Sequence, residues 1–439
     1  MSKRRFIIFC ISLLMFWGCP PKRVNVLPPD DPNDHFPEIS NTLAVDVFLD
    51  ATLSMKGFLV PGVLSYYEQT LPLLESAVGK GWEGGHTTFY RFGSHIAPIA
   101  GRAHVEATQP GFYTNPEYFQ KTFIENVIDY ANVDHLTIIA TDLFQNEVDV
   151  NLLTGKLKEK YLTKNLAIGI LGIKSEFAGP IYDVGVKNYT FEYNSGSSQP
   201  DRFRPFYLLI LGTYADVEHY YEKLEVSGLK DFPVKNFIIF SRYLSHPLSS
   251  FENARMVKTN KIVETGGLLA PGLLDKRLKQ FRLNGDVAKA DFITAFKYFP
   301  LPYTVPFNPA TLEPEITAWK HQANQLAENE SAKRAFHING INLSENELKV
   351  EAQLTPTVLS EGEVYCYRVI LRPKDYSMPA WVSDWNMPTR SIEEWRKKPA
   401  AFNGATTFNL KPFLSDLWEM VVQLHRPKVG EFYCYVKRG

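Results

Sequence analysis

Apolar and polar residues follow each other along the N-terminal half of the chain in a pattern that predicts strands and helices in turn. Apolar runs of strand length occupy residues 43–49, 87–92, 135–141, 166–173 and 206–211. Apolar residues recur at helical spacing in residues 64–78, 116–131, 150–162 and 215–226, and Asn115 is suited to cap the second of these helices. Strands that alternate with helices at these intervals predict an α/β fold, with a doubly wound, mostly parallel sheet covered on both faces.

The pattern changes further along the chain. Between residues 174 and 204, apolar residues recur at nearly every second position from Tyr182 to Tyr193, which predicts an inserted hairpin. Past Lys230, helical spacing becomes sparse, and residues 348–354, 364–371 and 432–436 are predicted to be strands of a mainly β, sandwich-like C-terminal domain. The similar sequences at 362–367 and 430–435 indicate edge or neighbouring strands that share one inward–outward alternation.

The first residues of the chain have the pattern of a secretory signal. Residues 3–5 are basic, and the apolar run at 6–17 is shorter than the roughly 20 residues that a transmembrane helix needs. The run ends at Gly18-Cys19 and is followed at once by proline. This ending resembles the lipobox of bacterial lipoproteins, which implies cleavage before Cys19 and lipidation of that cysteine. The alternative is an ordinary cleaved signal peptide with a chance cysteine.

The composition of the chain predicts a tether after the signal peptide and the order of the domains that follow. Residues 20–40 carry six prolines among polar residues and predict a stiff, extended tether. The predicted order is a signal peptide, the tether, the α/β domain, a connecting region of unassigned fold and the β domain, at residues 1–19, 20–40, 41–230, 231–335 and 336–439. The net charge of −1 indicates no nucleic-acid partner.

Cysteine is scarce in the mature chain. After removal of the predicted signal, only Cys19, Cys366 and Cys434 remain. Cys366 and Cys434 could pair as a disulfide in an oxidising compartment, or they could be two buried thiols. The sequence does not decide between these two arrangements, because disulfide formation depends on geometry.

Side chains that bear oxygen follow two of the predicted strands. Asp50 comes directly after residues 43–49, Thr52 and Ser54 follow at alternate positions, and Asp142 comes directly after a second apolar strand. Ligands of open α/β sheets gather beyond the carboxyl ends of the strands, so we expect these side chains at one edge. Carboxylate and hydroxyl oxygens suit a hard cation, which would be Mg²⁺, Mn²⁺ or Ca²⁺.

These residues resemble the D-x-S-x-S signature of von Willebrand factor A (vWA) domains. In that family, a metal-ion-dependent adhesion site (MIDAS) binds a cation that captures a partner's carboxylate. Thr52 stands at the first hydroxyl position, and the Ser54-Met55 pair followed by Gly57 also matches the family's pattern. The resemblance covers residues 41–230 and implies that Asp142 is the second acidic ligand.

The vWA resemblance also implies one more hydroxyl, from a threonine in a loop between the two motifs. We choose Thr114, which precedes the helix predicted to begin at Pro116, with Thr122 and Thr108 as further candidates. The implied metal ligands are therefore Asp50, Thr52, Ser54, Thr114 and Asp142.

The implied function is adhesion and not catalysis. The expected protein is a lipoprotein of the bacterial cell envelope, anchored through Cys19 on the periplasmic or outer face, whose Mg²⁺ (or Mn²⁺ or Ca²⁺) binds a protein partner through an acidic residue. A vWA-like fold without metal is one alternative. A metal-dependent hydrolase is another, although the haloacid-dehalogenase pattern needs a second aspartate where this chain has Thr52. A third is a glycan-binding envelope protein that uses Trp381, Trp385 and Trp395, although such aromatic side chains more often fill cores.

Overall fold

The computed structural model of the protein describes residues 36–118, 121–143, 147–182, 190–246, 255–260, 262–264, 279–283, 287–322, 325–387 and 403–439. The predicted signal peptide, Cys19, Trp395 and most of the predicted tether lie outside these residues. In the described part of the chain, no helix is long and apolar enough to cross a membrane.

The N-terminal half of the chain forms an α/β unit. Its strands are β1 Ala44–Asp50, β2 His86–Phe92, β3 Ile96–Pro98, β4 Leu136–Thr141, β5 Ala167–Ser175, β6 Ala178–Ile181, β7 Phe191–Asn194, β8 Arg204–Gly212 and β9 Lys235–Phe240. Its helices are α1 Leu53–Lys56, α2 Tyr66–Gly81, α3 Ala103–Glu106, α4 Ile124–Tyr130, α5 Glu147–Lys160 and α6 Tyr214–Ser227. Seven of the described strands form one sheet in the order β3-β2-β1-β4-β8-β5-β9, and β6 pairs with β7 separately.

The mixed α/β class is confirmed, but the prediction of a mostly parallel sheet is wrong. Among the described strands, β1 pairs in parallel with β2 and β4, whereas the pairs β2–β3, β4–β8, β5–β8 and β5–β9 are antiparallel. The cause lies in the predicted insertion, where β6 and β7 pair antiparallel, while residues 183–189 of the predicted alternation lie outside the described residues. Ser175, at the end of β5, lies opposite Arg204, at the start of β8. The chain therefore re-enters the sheet beside the carboxyl end of β5, where it left. As a result, β8 runs antiparallel to β4 and β5, between them.

Helices cover both faces of this sheet, as the sequence predicts. Alternate side chains of β1 enter two cores: Val47 and Leu49 lie in the core that includes α2 and α6, while Phe48 lies in the core that includes α4 and α5. Helix α2 begins with a capping box, in which the Ser65 hydroxyl accepts a hydrogen bond from the Glu68 N–H and the Glu68 carboxylate accepts one from the Ser65 N–H.

One predicted helix is much shorter than expected. The sequence predicts a helix over residues 116–131, but α4 begins only at Ile124. The Asn115 side chain accepts a hydrogen bond from the Glu117 N–H at 3.0 Å, and a turn follows instead of a helix. Thr122 consequently lies in a non-helical stretch directly before α4.

Strands of the C-terminal half form two sheets that face each other. They are β10 Arg255–Asn260, β11 Ile262–Glu264, β12 Lys279–Leu283, β13 Ala290–Lys297, β14 Leu312–Gln322, β15 Gln325–Glu328, β16 Phe336–Leu343, β17 Glu347–Leu354, β18 Val364–Pro373, β19 Asn386–Met387, β20 Thr407–Phe408 and β21 Gly430–Arg438. In the described chain, one sheet has the order β10-β13-β17-β16, the other has the order β11-β12-β21-β18-β14-β15, and β19 pairs with β20. Phe292 meets Phe281 and Phe336 meets Tyr367 across the two sheets, with ring centroids 5.4 and 4.8 Å apart.

The two sheets include residues that the sequence assigns to a connection. The region 231–335 contributes β9 to the N-terminal sheet and strands β10 to β15 to the C-terminal sheets. Residue 336 therefore begins a strand inside the sandwich and does not mark the sandwich's first residue.

Cys366 and Cys434 are two buried thiols and do not form a disulfide. Their strands, β18 and β21, are neighbours, which confirms the prediction from their similar sequences. However, the register sets Cys366 opposite Tyr435 and Cys434 opposite Tyr367. Because side chains of consecutive strand residues point to opposite faces, the two sulfur atoms lie on opposite faces of the sheet.

The chain returns to the N-terminal sheet after most of the sandwich has formed. Three described helices belong to the C-terminal half: α7 Glu330–Ala335, α8 Ala380–Asp384 and α9 Leu410–His425. Helix α9 contacts α5 and β9, and its Leu417 is fully buried. The Thr407 hydroxyl lies 2.8 Å from the Tyr207 hydroxyl, and His425 Nε2 lies 2.8 Å from the Leu162 carbonyl oxygen. Residues 403–425 therefore complete the core of the α/β unit.

The described end of the predicted tether is attached to the α/β unit. The Phe36 ring packs against Tyr214, with centroids 5.7 Å apart, and against Tyr243 at 5.1 Å. Ser40 donates its N–H and its hydroxyl to the Asp216 carboxylate at 2.9 and 2.8 Å. Tyr214 and Asp216 follow the carboxyl end of β8, which lies beside the amino end of β4.

Candidate metal site

Two carboxylates lie together where a pair of parallel strands ends. Leu49 of β1 is in register with Ala140 of β4, so Asp50 lies beside Thr141, and Asp142 follows directly. Both acidic residues are almost completely buried, with relative exposures of 0% for Asp50 and 2% for Asp142. The sequence prediction that these strands carry Asp50 and Asp142 to one edge is therefore confirmed.

Two hydroxyl groups bond to the Asp50 carboxylate, and two more lie beside the hydroxyl of Thr52. Thr52 donates its N–H and its hydroxyl to Asp50 Oδ1 at 3.0 and 2.6 Å, and the Thr141 hydroxyl donates to Oδ2 at 2.9 Å. The Thr52 hydroxyl oxygen also lies 3.1 Å from that of Ser54 and 3.0 Å from that of Thr122. We refer to these residues together as the Asp50 cluster: Asp50, Thr52, Ser54, Thr122, Thr141 and Asp142.

Thr122, and not Thr114, supplies the additional loop hydroxyl. Thr114 is exposed, and its hydroxyl lies 3.4 Å from the Pro110 carbonyl oxygen and 3.5 Å from that of Gly111. The choice of Thr114 depended on a helix beginning at Pro116. Because the helix begins at Ile124 instead, Thr122 lies in the loop and reaches Thr52.

Thr141 is a member of the cluster that the sequence does not single out. It is the last residue of β4 and is fully buried. Its position directly before Asp142 was a usable signal, because the last residue of a strand lies at the same edge as the residue that follows it. Its hydrogen bond to Asp50, however, depends on the register between β1 and β4, which the apolar pattern does not specify.

Burial dominates the electrostatics of Asp50. It raises the pKa of this carboxyl group from 3.8 to about 7, and the negative charge of Asp142 contributes to the same increase. The hydrogen bonds from Thr52 and Thr141 lower the pKa and only partly offset the burial. Without a nearby cation, this arrangement disfavours the ionised form of Asp50.

Asp142 has a buried cationic partner. Arg204, the first residue of β8, places one guanidinium nitrogen 3.2 Å from Asp142 Oδ2, and the two side chains are only 1% and 3% exposed. The guanidinium also lies over the Phe177 ring, 5.3 Å from its centroid, and donates to the Gly404 carbonyl oxygen at 3.4 Å. Sequence reasoning misses Arg204, because it reaches Asp142 only through the antiparallel return of β8.

The donor set fits a hard divalent cation. Two carboxylates and four hydroxyls supply oxygen atoms alone, the ligand type that Mg²⁺, Mn²⁺ and Ca²⁺ prefer. No three His, Cys, Asp or Glu side chains of the described residues come together as a metal site, so any cation here depends on hydroxyl ligands. Asp50, Thr52, Ser54, Thr122 and Asp142 are the residues that would hold it.

Close contact between loops shapes one wall of the cluster. A Cβ atom on Gly93 would lie 2.2 Å from the Tyr118 carbonyl oxygen and 3.1 Å from Thr52 Cγ2. Only glycine therefore allows the chain after β2 to pass this close to the Tyr118 carbonyl group. The Gly93 backbone therefore lies beside Thr52, whose position next to Asp50 is fixed by its two hydrogen bonds to that carboxylate.

Gly57 packs against Phe177, whose ring also contacts the Arg204 guanidinium. A Cβ atom at Gly57 would lie 2.3 Å from Phe177 Cζ, and the buried Phe177 ring is held by Phe58, with centroids 5.0 Å apart. The ring therefore has little room to move away. The same ring supports the Arg204 guanidinium, so Gly57 is linked by packing to the partner of Asp142.

Gly57→Ala is expected to destabilise the protein by about 1–3 kcal/mol, because it overpacks this contact. Chemical denaturation would measure the effect as a lower midpoint. Gly79→Ala in α2 is the matched control: a Cβ there meets nothing within 4 Å, so this substitution should be neutral or stabilising. Equal midpoints for the Gly57 variant and the wild type would show that Phe177 yields easily.

The tryptophans of the glycan-binding alternative lie mainly in a core. Trp385 is buried, with an exposure of 5%, and Trp381 packs against it with ring centroids 5.3 Å apart. The interpretation of these two side chains as packing residues is therefore supported. Trp395 lies outside the described residues.

Comparison with known proteins assigns no family to the chain. No protein-family model matches it, and no curated protein matches it either.

Proposed function

We propose that this protein is a divalent-cation-dependent binding protein of the bacterial cell envelope, anchored through a lipid on Cys19. In this proposal the α/β unit is vWA-like, and the Asp50 cluster is a MIDAS that holds Mg²⁺ or Mn²⁺. The observation that carries the proposal is the convergence of Asp50, Asp142 and the hydroxyls of Thr52, Ser54 and Thr122 at one edge of the sheet. The partner would be a protein that offers an acidic side chain.

The chemistry of the ligands favours an acidic partner. Hydroxyl ligands carry no charge, so a cation held largely by them keeps more of its own positive charge than one in a cage of carboxylates. A carboxylate from a partner would gain a charge-assisted contact in a site partly shielded from water, where electrostatic interactions are stronger. The cluster therefore suits capture of an acid better than storage of a metal.

The position of the tether is consistent with this role. The contact between Ser40 and Asp216 lies at the end of the strands where β8 finishes and β4 begins. Asp50 and Asp142 lie beyond the other end of the strands, where β1 and β4 finish. A tether that leaves the unit next to Phe36 would thus hold the cluster on the side away from its own anchor. A membrane attached there would not cover the side of the unit on which the cluster lies.

The proposal is tested by affinity capture with the lipid-free protein, from an envelope extract, with Mg²⁺ or with EDTA. Capture of the partner should be lost in EDTA and restored by added Mg²⁺ or Mn²⁺. Asp142→Ala and Thr122→Ala should weaken it at least about tenfold, because each removes a ligand of the cluster. Thr114→Ala is the matched control, because Thr114 contacts its own turn, and it should bind like the wild type.

Other outcomes would favour the alternatives. A partner that stays bound in EDTA and also binds Asp142→Ala normally would place the interface outside the Asp50 cluster. Cleavage of a simple phosphoester that disappears in Asp50→Asn would favour the hydrolase. Chelator-insensitive binding to purified cell wall would favour the glycan-binding protein.

A further inference from the structure

Arg204 places a buried positive charge at the edge of the proposed cation site. Its side chain is 1% exposed, and its guanidinium lies 3.2 Å from Asp142 Oδ2. Asp142 in turn is close enough to Asp50 for its charge to raise the pKa of Asp50. A cation bound by both carboxylates would therefore feel repulsion from Arg204 at short range.

We propose that Arg204 sets the affinity and the ligand preference of the cation site, by holding Asp142 and by reducing the negative charge of the site from −2 to −1. This inference rests on the proposed cation site. With a divalent ion present, the site carries a net charge of +1 and attracts an anionic ligand; without Arg204 it would be neutral. Arg204 thus weakens binding of the cation and strengthens capture of a carboxylate.

Lys174, on the neighbouring strand β5, is the matched control for Arg204. Lys174 of β5 is also buried, with an exposure of 7%, but it lies opposite Pro205 and donates to the Asp201 carbonyl oxygen at 3.0 Å. Consecutive residues of a strand face opposite sides, so the Lys174 and Arg204 side chains extend from opposite faces of the sheet. A buried positive charge therefore exists next to Arg204 without contacting Asp142.

The test measures Mn²⁺ binding by electron paramagnetic resonance of the free ion, in the full mature chain. Arg204→Gln keeps a hydrogen-bond donor for Asp142 but removes the charge, and it should bind Mn²⁺ at least about tenfold more tightly than the wild type. Arg204→Lys should bind within about threefold of the wild type, and so should the control Lys174→Gln. A purely structural role predicts the opposite sign, because a displaced Asp142 would weaken Mn²⁺ binding.

Capture of a carboxylate is measured with acetate as the probe. Bound Mn²⁺ enhances relaxation of the acetate methyl protons when acetate enters the site. In Arg204→Gln loaded with Mn²⁺, the affinity for acetate should fall at least about fivefold, since the site is then neutral. An unchanged or higher affinity for acetate would overturn the inference.

If Arg204→Gln leaves Asp142 buried without a cationic partner and so fails to fold, a double substitution that neutralises both Asp142 and Arg204 keeps the test decisive. Asp142→Asn leaves a site of charge 0 and should bind Mn²⁺ at least about tenfold more weakly than the wild type. Asp142→Asn combined with Arg204→Gln restores the charge of −1 and should recover most of that loss. Failure to recover, while the wild type binds Mn²⁺, would refute the role of Arg204 and leave the proposed function standing. Absence of Mn²⁺ binding in the wild type would refute both.

Discussion

Asp50→Asn is expected to abolish the stabilisation of the protein by Mg²⁺ or Mn²⁺. A ligand that binds only the folded state stabilises it by about 3 kcal/mol at a concentration one hundred times its Kd. The wild-type melting temperature should therefore rise with added cation, whereas that of Asp50→Asn should not, because asparagine brings no negative charge to the ion. Thermal denaturation with and without Mg²⁺ measures this difference directly.

Without a cation, the same substitution should stabilise the protein at pH 8. The pKa of Asp50 is raised from 3.8 to about 7 in the folded state, so folding favours the protonated form. The stability of the metal-free wild type should thus fall as the pH rises from about 4 to about 7 and then level off. The difference in pKa corresponds to roughly 4 kcal/mol, and we expect Asp50→Asn to recover about 2–4 kcal/mol of it above pH 7.

The pH dependence of cation binding has the opposite direction. A cation must displace the proton from Asp50, so stabilisation by Mg²⁺ should be larger at pH 8 than at pH 6. Asp46→Asn is the matched control, because Asp46 lies on the same strand but bonds to His135 Nδ1 at 2.8 Å, outside the cluster. A wild-type melting temperature that ignores saturating Mg²⁺, Mn²⁺ and Ca²⁺ would refute the cation site.

Leu417→Ala in the C-terminal helix is expected to destabilise the α/β unit by about 2–5 kcal/mol, because it empties a buried position. Leu417 is fully buried in the core that also contains Leu157 and Phe240 of that unit. The loss should appear in probes of the N-terminal sheet, although Leu417 lies far away in the sequence. Amide hydrogen exchange of β4 and β5 would measure it, with protection reduced in both strands.

The matched control for Leu417→Ala lies on the same helix. Leu424 is 37% exposed, so Leu424→Ala should change stability by less than about 1 kcal/mol. The contribution of the C-terminal half to the core of the α/β unit also predicts that a fragment of residues 41–230 does not fold stably. This fragment lacks both β9 and α9. A soluble, cooperatively melting 41–230 fragment would show that the unit is independent of the C-terminal half.

Local patterns in the sequence predict most elements of the α/β unit and part of the site. The apolar run that ends on Asp50, with Thr52 and Ser54 at alternate positions after it, lies in one short stretch of the sequence. The second apolar run, which ends on Asp142, lies in another. Periodicity and strand ends are properties of such short stretches, so they are readable without the fold. The same holds for the helix at Tyr66–Gly81 and for the antiparallel pair of strands after β5.

Only the tertiary structure decided which distant residues meet. The antiparallel return of β8 brings Arg204 to Asp142, and the register between β18 and β21 sends Cys366 and Cys434 to opposite faces. Which residues lie opposite each other depends on pairing between segments far apart in the chain, and the local patterns of these segments did not specify that pairing. Loops have no period at all, which is why the sequence favours Thr114, whereas Thr122 completes the Asp50 cluster.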